Sequence, residues 1–249
     1  MRLRLGRVFV IGLGVSALAA MVAQAPARSP QEGIETHSLL GNSLAGRFAK
    51  SQQEVDSAAE FYLRALDKDP SNEIILEQAF QMEIMAGNWE AALPLAERLA
   101  ASQPSHRMSR FLLGVHAFKQ GEFVKADEQF RAASENPIGE LTSAIARGWT
   151  KLAAGDVDGA LAAVDLQKQP EWAQFYLRYH RGLMADIAGR RAEARASYEK
   201  VYGQDARTLR IALAFARHEA YTGDRKRALS IINEHIEKSQ GDGHPLLRS

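Results

Sequence analysis

Five glycines, Gly87, Gly121, Gly155, Gly189 and Gly223, stand 34 residues apart along this chain. Each is followed five residues later by an alanine: Ala92, Ala126, Ala160, Ala194 and Ala228. A fixed period of this length means that one supersecondary unit is copied along the sequence, which limits the fold more than composition does. Between the glycines, apolar residues recur at helical spacing and no strand-like alternation stands out. The stretches "LLGVHAFKQG" and "LTSAIARGWTKLAAG" both end on a periodic glycine. Glycine there is a helix stop, because it enters the left-handed conformation without a Cβ clash. A new apolar series starts at once, as in "EAALPLAERLAASQP". Each unit therefore reads as helix A, tight turn, helix B.

Small residues mark where two helices approach closely. Gly114, Gly148 and Gly182 stand seven residues before their turn. Gly46 takes the same place in an earlier unit, where Gln53 stands at the turn and Ala58 follows. Nine residues after the turn comes a filler: Tyr62, Ala96, Phe130, Val164, Tyr198 or Ile232. Pro70 and Pro104 are read as ending helix B, and Pro137 and Pro170 as doing so slightly out of phase.

These features resemble the tetratricopeptide repeat, with "LLGVHAFKQGEFVKADEQFRAA" the best single match. The resemblance covers residues 39–239 in six units: 39–72, 73–106, 107–140, 141–174, 175–208 and 209–239. There are departures. Phe80 and Ala216 replace the helix A glycine, Gln167 sits where a small or apolar residue is expected, and the last two units lack the proline. The resemblance implies an all-α, right-handed superhelical solenoid in which each hairpin touches only its neighbours. It also implies that helix A lines a concave groove. Counting back thirteen, ten, six, three and two residues from each turn then gives the side chains facing that groove. They include Met108, Phe111 and Phe118 in unit three, and Trp149 in unit four. Unit five supplies Tyr176, Tyr179, Leu183, Asp186 and Ile187; unit six supplies Arg210, Leu213, Arg217 and Tyr221. The candidate peptide-binding residues are Met108, Phe111, Phe118, Trp149, Tyr176, Tyr179 and Arg217, with Trp149 as expected anchor. The alternative for Trp149 is a place in the core between repeats. The carboxylate-clamp form of the repeat needs lysine and asparagine where the first unit has Ser43 and Arg47, so it is not expected.

The amino terminus reads differently. "MRLRLGRVFVIGLGVSALAAMVAQA" has a basic start and an apolar run, the layout of an export signal. Residues 1–25 are read as signal peptide or signal anchor, and residues 26–38 as a flexible linker. The expected location is the periplasm, or the inner membrane through residues 8–23 if the segment is uncleaved. Removing Arg2, Arg4 and Arg7 leaves 28 basic against 30 acidic groups, too balanced to attract nucleic acid. No cysteine is present, which excludes thiol chemistry and disulfides. The seven histidines form no metal-ligand motif, and no phosphate loop or nucleophile elbow appears. No enzyme activity, metal or cofactor is therefore expected of these residues. "KSQGDGHPLLRS" reads as a linker over residues 240–249 that leads to a further region. The sequence supports an exported scaffold that binds an envelope protein or peptide. Its rivals are the targeting arm of a larger enzyme and a self-assembling structural module.

Overall fold

The computed structural model describes residues 38–165 and 170–239. The export segment, residues 26–37 of the linker after it, Gln167 and residues 240–249 lie outside them. The described residues form twelve α-helices and no strand. In order these are α1 (Leu39–Ser51), α2 (Val55–Lys68), α3 (Glu73–Ala86), α4 (Trp89–Ser102), α5 (Arg107–Lys119) and α6 (Phe123–Ala132). They continue with α7 (Pro137–Ala153), α8 (Val157–Ala163), α9 (Glu171–Ile187), α10 (Arg191–Gln204), α11 (Leu209–Thr222) and α12 (Arg225–Lys238). Consecutive helices pack on one another, giving six helical hairpins.

The turn explains the period. Gly87, Gly121, Gly155, Gly189 and Gly223 all have positive φ, between +74° and +103°. Gln53 holds the same conformation at +62° and is the sole non-glycine residue to do so among those described. At every turn the next N–H donates back to a carbonyl five residues earlier. Examples are Glu54 to Ala49 at 3.0 Å and Asp224 to Glu219 at 2.8 Å. This bond closes the end of helix A and fixes the angle at which helix B departs.

The close-approach residues come in pairs of complementary size. A Cβ on Gly114 would lie 2.6 Å from the Phe130 ring, and one on Gly46 would lie 3.2 Å from Tyr62. Gly182 meets Tyr198 at 2.9 Å in the same way. Each glycine of helix A thus accommodates the ring nine residues after the turn. Unit two reverses the sizes: Phe80 fills the helix A place and Ala96 the filler place of helix B, and both are fully buried. The departure at Phe80 is therefore compensated within its own hairpin. In unit four the filler is only Val164, and the space over Gly148 is taken by Met184 of the next unit, 2.8 Å from a notional Cβ.

Two prolines open helices instead of closing them. Pro137 is at the first turn of α7, where Asn136 caps by accepting from the Gly139 N–H at 2.8 Å. Pro170 is the N-cap residue of α9. Proline suits such positions because the missing N–H has no helical partner there. As a result α7 and α9 run 17 residues, while α8 has only 7. Helix A of units four and five starts at Pro137 and Glu171, ahead of residues 141 and 175, where the 34-residue spacing set the unit boundaries.

The buried apolar residues fall into two large groups and a small one. The first runs from Ala49 to Leu112, and the second from Leu141 to Ile231. Between them lie Ala117, Ala126 and Phe130.

Candidate functional site

Helix A side chains line two chemically different clefts. The first, about 490 Å³, lies between α3 and α5. Phe80 and Ile84 come from α3, and Met108, Phe111, Leu112 and Val115 from α5, with Trp89 at the start of α4. Its charged lining residue is Arg107, and Thr142 of α7 lies at its margin. Phe111 packs on Phe130 with ring centroids 5.1 Å apart, which holds its ring in place from below. Lys119 lies over the Trp89 ring, 5.4 Å from its centroid.

The second cleft, about 730 Å³, lies between α9 and α11. Tyr179, Leu183, Asp186 and Ile187 face Arg210, Leu213, Arg217 and Tyr221 across it. All eight occupy the positions counted back from the turn glycines. Arg191 and Tyr198 of α10 also line it, with Gly189, Ala214 and Thr222. The Asp186 carboxylate is engaged from the protein side: His218 Nδ1 lies 2.8 Å from its Oδ1. Burial, and next the Asp186 charge, push the Tyr198 hydroxyl above its ordinary range. Burial also raises the Tyr179 hydroxyl, against the field of Arg210.

The seven candidates thus separate. Met108 and Phe111 line the apolar cleft, and Tyr179 and Arg217 the cationic one. Trp149 lines neither. It is half-buried against the carboxyl-terminal core, and its indole Nε1 donates to His180 Nδ1 at 3.0 Å. Phe118 packs edge-on against Phe123 at 5.6 Å, also outside both clefts. Tyr176 is half exposed and meets Phe175 edge-on at 5.5 Å. Ile84 stands three residues before Gly87, so the same count finds it. Trp89, Arg191 and Tyr198 belong to helix B, and a count along helix A cannot reach them. Among the described residues no group of histidines and carboxylates converges to hold a metal. None of the described helices is long and apolar enough to cross a membrane.

Hairpins of this length, with a left-handed turn residue and size-matched contact pairs, define a helical-repeat protein. A family model described as tetratricopeptide repeat matches residues 85–137, from the end of α3 to the start of α7. With the six-hairpin architecture, this gives the described residues a fold of the tetratricopeptide-repeat type. No curated protein sequence matches it. Among solved structures it is similar to a tetratricopeptide repeat protein from Parabacteroides merdae. That similarity has TM-score 0.65 and 16% identity, covering 84% of this chain and 82% of that one. It is also similar to PilW, described as a widely conserved type IV pilus biogenesis factor. Here the TM-score is 0.59 at 14% identity, covering 82% of this chain and 94% of that one. A third is YrrB, described as a repeat protein with an unusual peptide-binding site. Its TM-score is 0.51 at 18% identity, covering 76% of this chain and 96% of that one.

Proposed function

We propose that this chain is an exported, non-catalytic scaffold of the cell envelope that holds a partner peptide or helix along its helix A side chains. The observation that carries this reading is the apolar cleft of Met108, Phe111, Ile84 and Trp89. Met108 is 40% exposed there, a large apolar side chain left facing solvent where a partner would cover it. Export rests on the basic and apolar pattern of residues 1–25. The similarity to PilW, a pilus biogenesis factor, agrees with an envelope role. Phe118, Trp149 and Tyr176 then act mainly as support for the wall, and Met108, Phe111, Tyr179 and Arg217 meet the partner.

Two measurements test the reading. Residues 1–38 fused to a reporter active only outside the cytoplasm should give activity; a silent reporter at normal expression ends the export claim. Exported, tagged protein should capture a partner that Met108→Glu with Phe111→Glu no longer captures at unchanged helix content. Equal capture by both forms removes the apolar cleft from the binding surface.

One observation favours a second reading, end-to-end self-assembly. Phe48 stands five residues before its turn, as do Met82, Thr150, Met184 and His218, all buried between repeats. On α1 no described repeat precedes it, and Leu40, Leu44 and Phe48 are 69%, 53% and 66% exposed. A mass in sedimentation that rises with concentration, and falls back with Phe48→Glu, would establish it.

A further inference from the structure

We infer that the cleft between α9 and α11 recognises carboxylates, and that the segment it takes is an acidic stretch of extended peptide with an aliphatic side chain between its acids. This deepens the proposed peptide-binding role and rests on it.

The charge balance of the cleft comes first. Arg191, Arg210 and Arg217 line it, against a single acidic residue, Asp186. That carboxylate is already engaged by His218. Arg210 and Arg217 make no hydrogen bond or ion pair with any described residue. Several arginines elsewhere are committed: Arg147 to Asp127 at 2.8 Å, Arg181 to Glu193 at 3.1 Å, and Arg110 to the Ala100 carbonyl at 2.9 Å. The two in the cleft are exposed and unpaired, and their fields act inward. The Arg210 field favours the ionised form of the Tyr179 hydroxyl and disfavours a proton on His180, and Arg217 acts on Tyr198. A guanidinium is weakly hydrated and presents a planar fork of donors that matches a carboxylate.

Spacing selects the ligand. Arg210 and Arg217 are seven residues apart on one helix, so their stems rise about 10 Å from one to the other. A peptide in the extended polyproline II form advances about 3.1 Å per residue with three residues per turn, so acids three residues apart lie on one face and match the two stems. Between the arginines the wall offers Leu213 and Ala214, with Leu183 opposite, a place for an aliphatic side chain. Tyr179 and Tyr221 flank it with amphipathic rings. The cleft at α3 and α5 lacks this pattern, because Arg107 is its lone charged lining residue.

A displayed library of random twelve-residue peptides, selected on the whole protein at low salt, tests this. The expected winners carry two acids about three residues apart with an aliphatic residue between. Their synthetic forms should bind at least tenfold more weakly when Asp and Glu become Asn and Gln. Binding should weaken by a similar factor on Arg210→Gln with Arg217→Gln, and fall with added salt as exposed charges are screened. Both arginines are exposed, so the double variant should melt with the native protein. Peptides capped by a terminal amide separate side-chain acids from a chain-terminal carboxylate; equal binding of capped and free forms assigns the site to side chains, as inferred here. Uncharged winners that bind the double variant equally, and are lost with Phe111→Glu, overturn this inference and leave the proposed function standing. A selection that enriches no peptide overturns both.

Discussion

The Gly114 and Phe130 contact reduces the repeat to a question of volume. Adding one methyl at Gly114 drives it to 2.6 Å from a ring that is itself buried. Gly114→Ala should cost about 1–3 kcal/mol by overpacking. A smaller side chain at 130 opens space beside position 114, so Phe130→Val should relieve part of that cost. Chemical denaturation of the two single variants and the double gives the coupling; strictly additive energies would refute the size-matching account. The pairing was half legible in sequence. Glycine seven before the turn and filler nine after it were both visible, but Phe80 looked like a defect until Ala96 at the filler place was taken with it. The atoms nearest to a Cβ on Gly114 belong to Phe130. Periodicity identifies which positions are constrained. It does not say which constrained position touches which, because that depends on the reach of a ring across the hairpin. Trp149 has a residue-scale consequence of its own. Its N–H bond needs His180 Nδ1 unprotonated, and burial, with the Arg210 field, holds that imidazole below its ordinary 6.5. As pH falls, the unfolded imidazole therefore protonates first. The stability owed to the neutral ring is whole above about 6.5, declines below it and levels off under the depressed folded value. Melting from pH 7.5 downward should fall more steeply for native protein than for His180→Gln, and the Trp149 indole N–H resonance should shift over the same range. Parallel slopes would show that the pair carries no such linkage.

At the scale of the helix, position in the array decides what a side chain contributes. Met184 and Phe48 stand five residues before their turns, yet Met184 is fully buried and Phe48 largely exposed. Met184 also fills the space over Gly148. Met184→Ala should therefore cost about 2–5 kcal/mol, the range for emptying a well-packed site. Phe48→Ala, at an open helix face, should stay within about 0.5 kcal/mol in the monomer. Comparable losses in the two thermal melts would mean that α1 is covered. The turns add a change in the other direction. Gln53 is held left-handed at φ +62°, a conformation that disfavours a residue with a Cβ by about 1–2 kcal/mol. Gln53→Gly should recover part of that, less what glycine gains in the unfolded chain, and raise the melting midpoint. An unchanged or lower midpoint would mean that the Gln53 side chain supplies a compensating contact. The turns were the most legible elements, because a left-handed residue leaves glycine as its mark. The extra turn at the start of α7 and α9 was not legible, since a proline that closes one helix and one that opens the next look alike in sequence.

In the whole array the apolar core is not continuous. Units one and two share one buried group, units four to six share another, and Ala117, Ala126 and Phe130 join them at unit three. In a stack where each hairpin stabilises only its neighbours, the thinnest interface sets how far cooperativity extends. Polar contacts reinforce that seam. Arg147 of α7 reaches Asp127 of α6 at 2.8 Å, and Arg110 of α5 reaches back to the Ala100 carbonyl at 2.9 Å. Burial pushes the Asp127 carboxyl up, but the Arg147 hydrogen bond and the fields of Arg147, Lys151 and Arg131 outweigh it and hold the group below the usual carboxylate range. Its share of the stability is therefore present above 3.8 and is lost as pH falls through the lower folded value. Phe130→Ala removes the largest of the three joining side chains at a cost of about 3–5 kcal/mol, and that cost falls on the seam. We predict that calorimetry of this variant resolves two transitions where the native protein shows one. Hydrogen exchange should show units one and two, and units four to six, opening as separate blocks. Arg147→Met, which breaks the ion pair without emptying the core, should move in the same direction with smaller effect. A single transition in the Phe130→Ala variant, shifted down but undivided, would mean that the backbone contacts of α5 and α6 alone transmit cooperativity, and that the seam at unit three is only an inequality of side-chain burial.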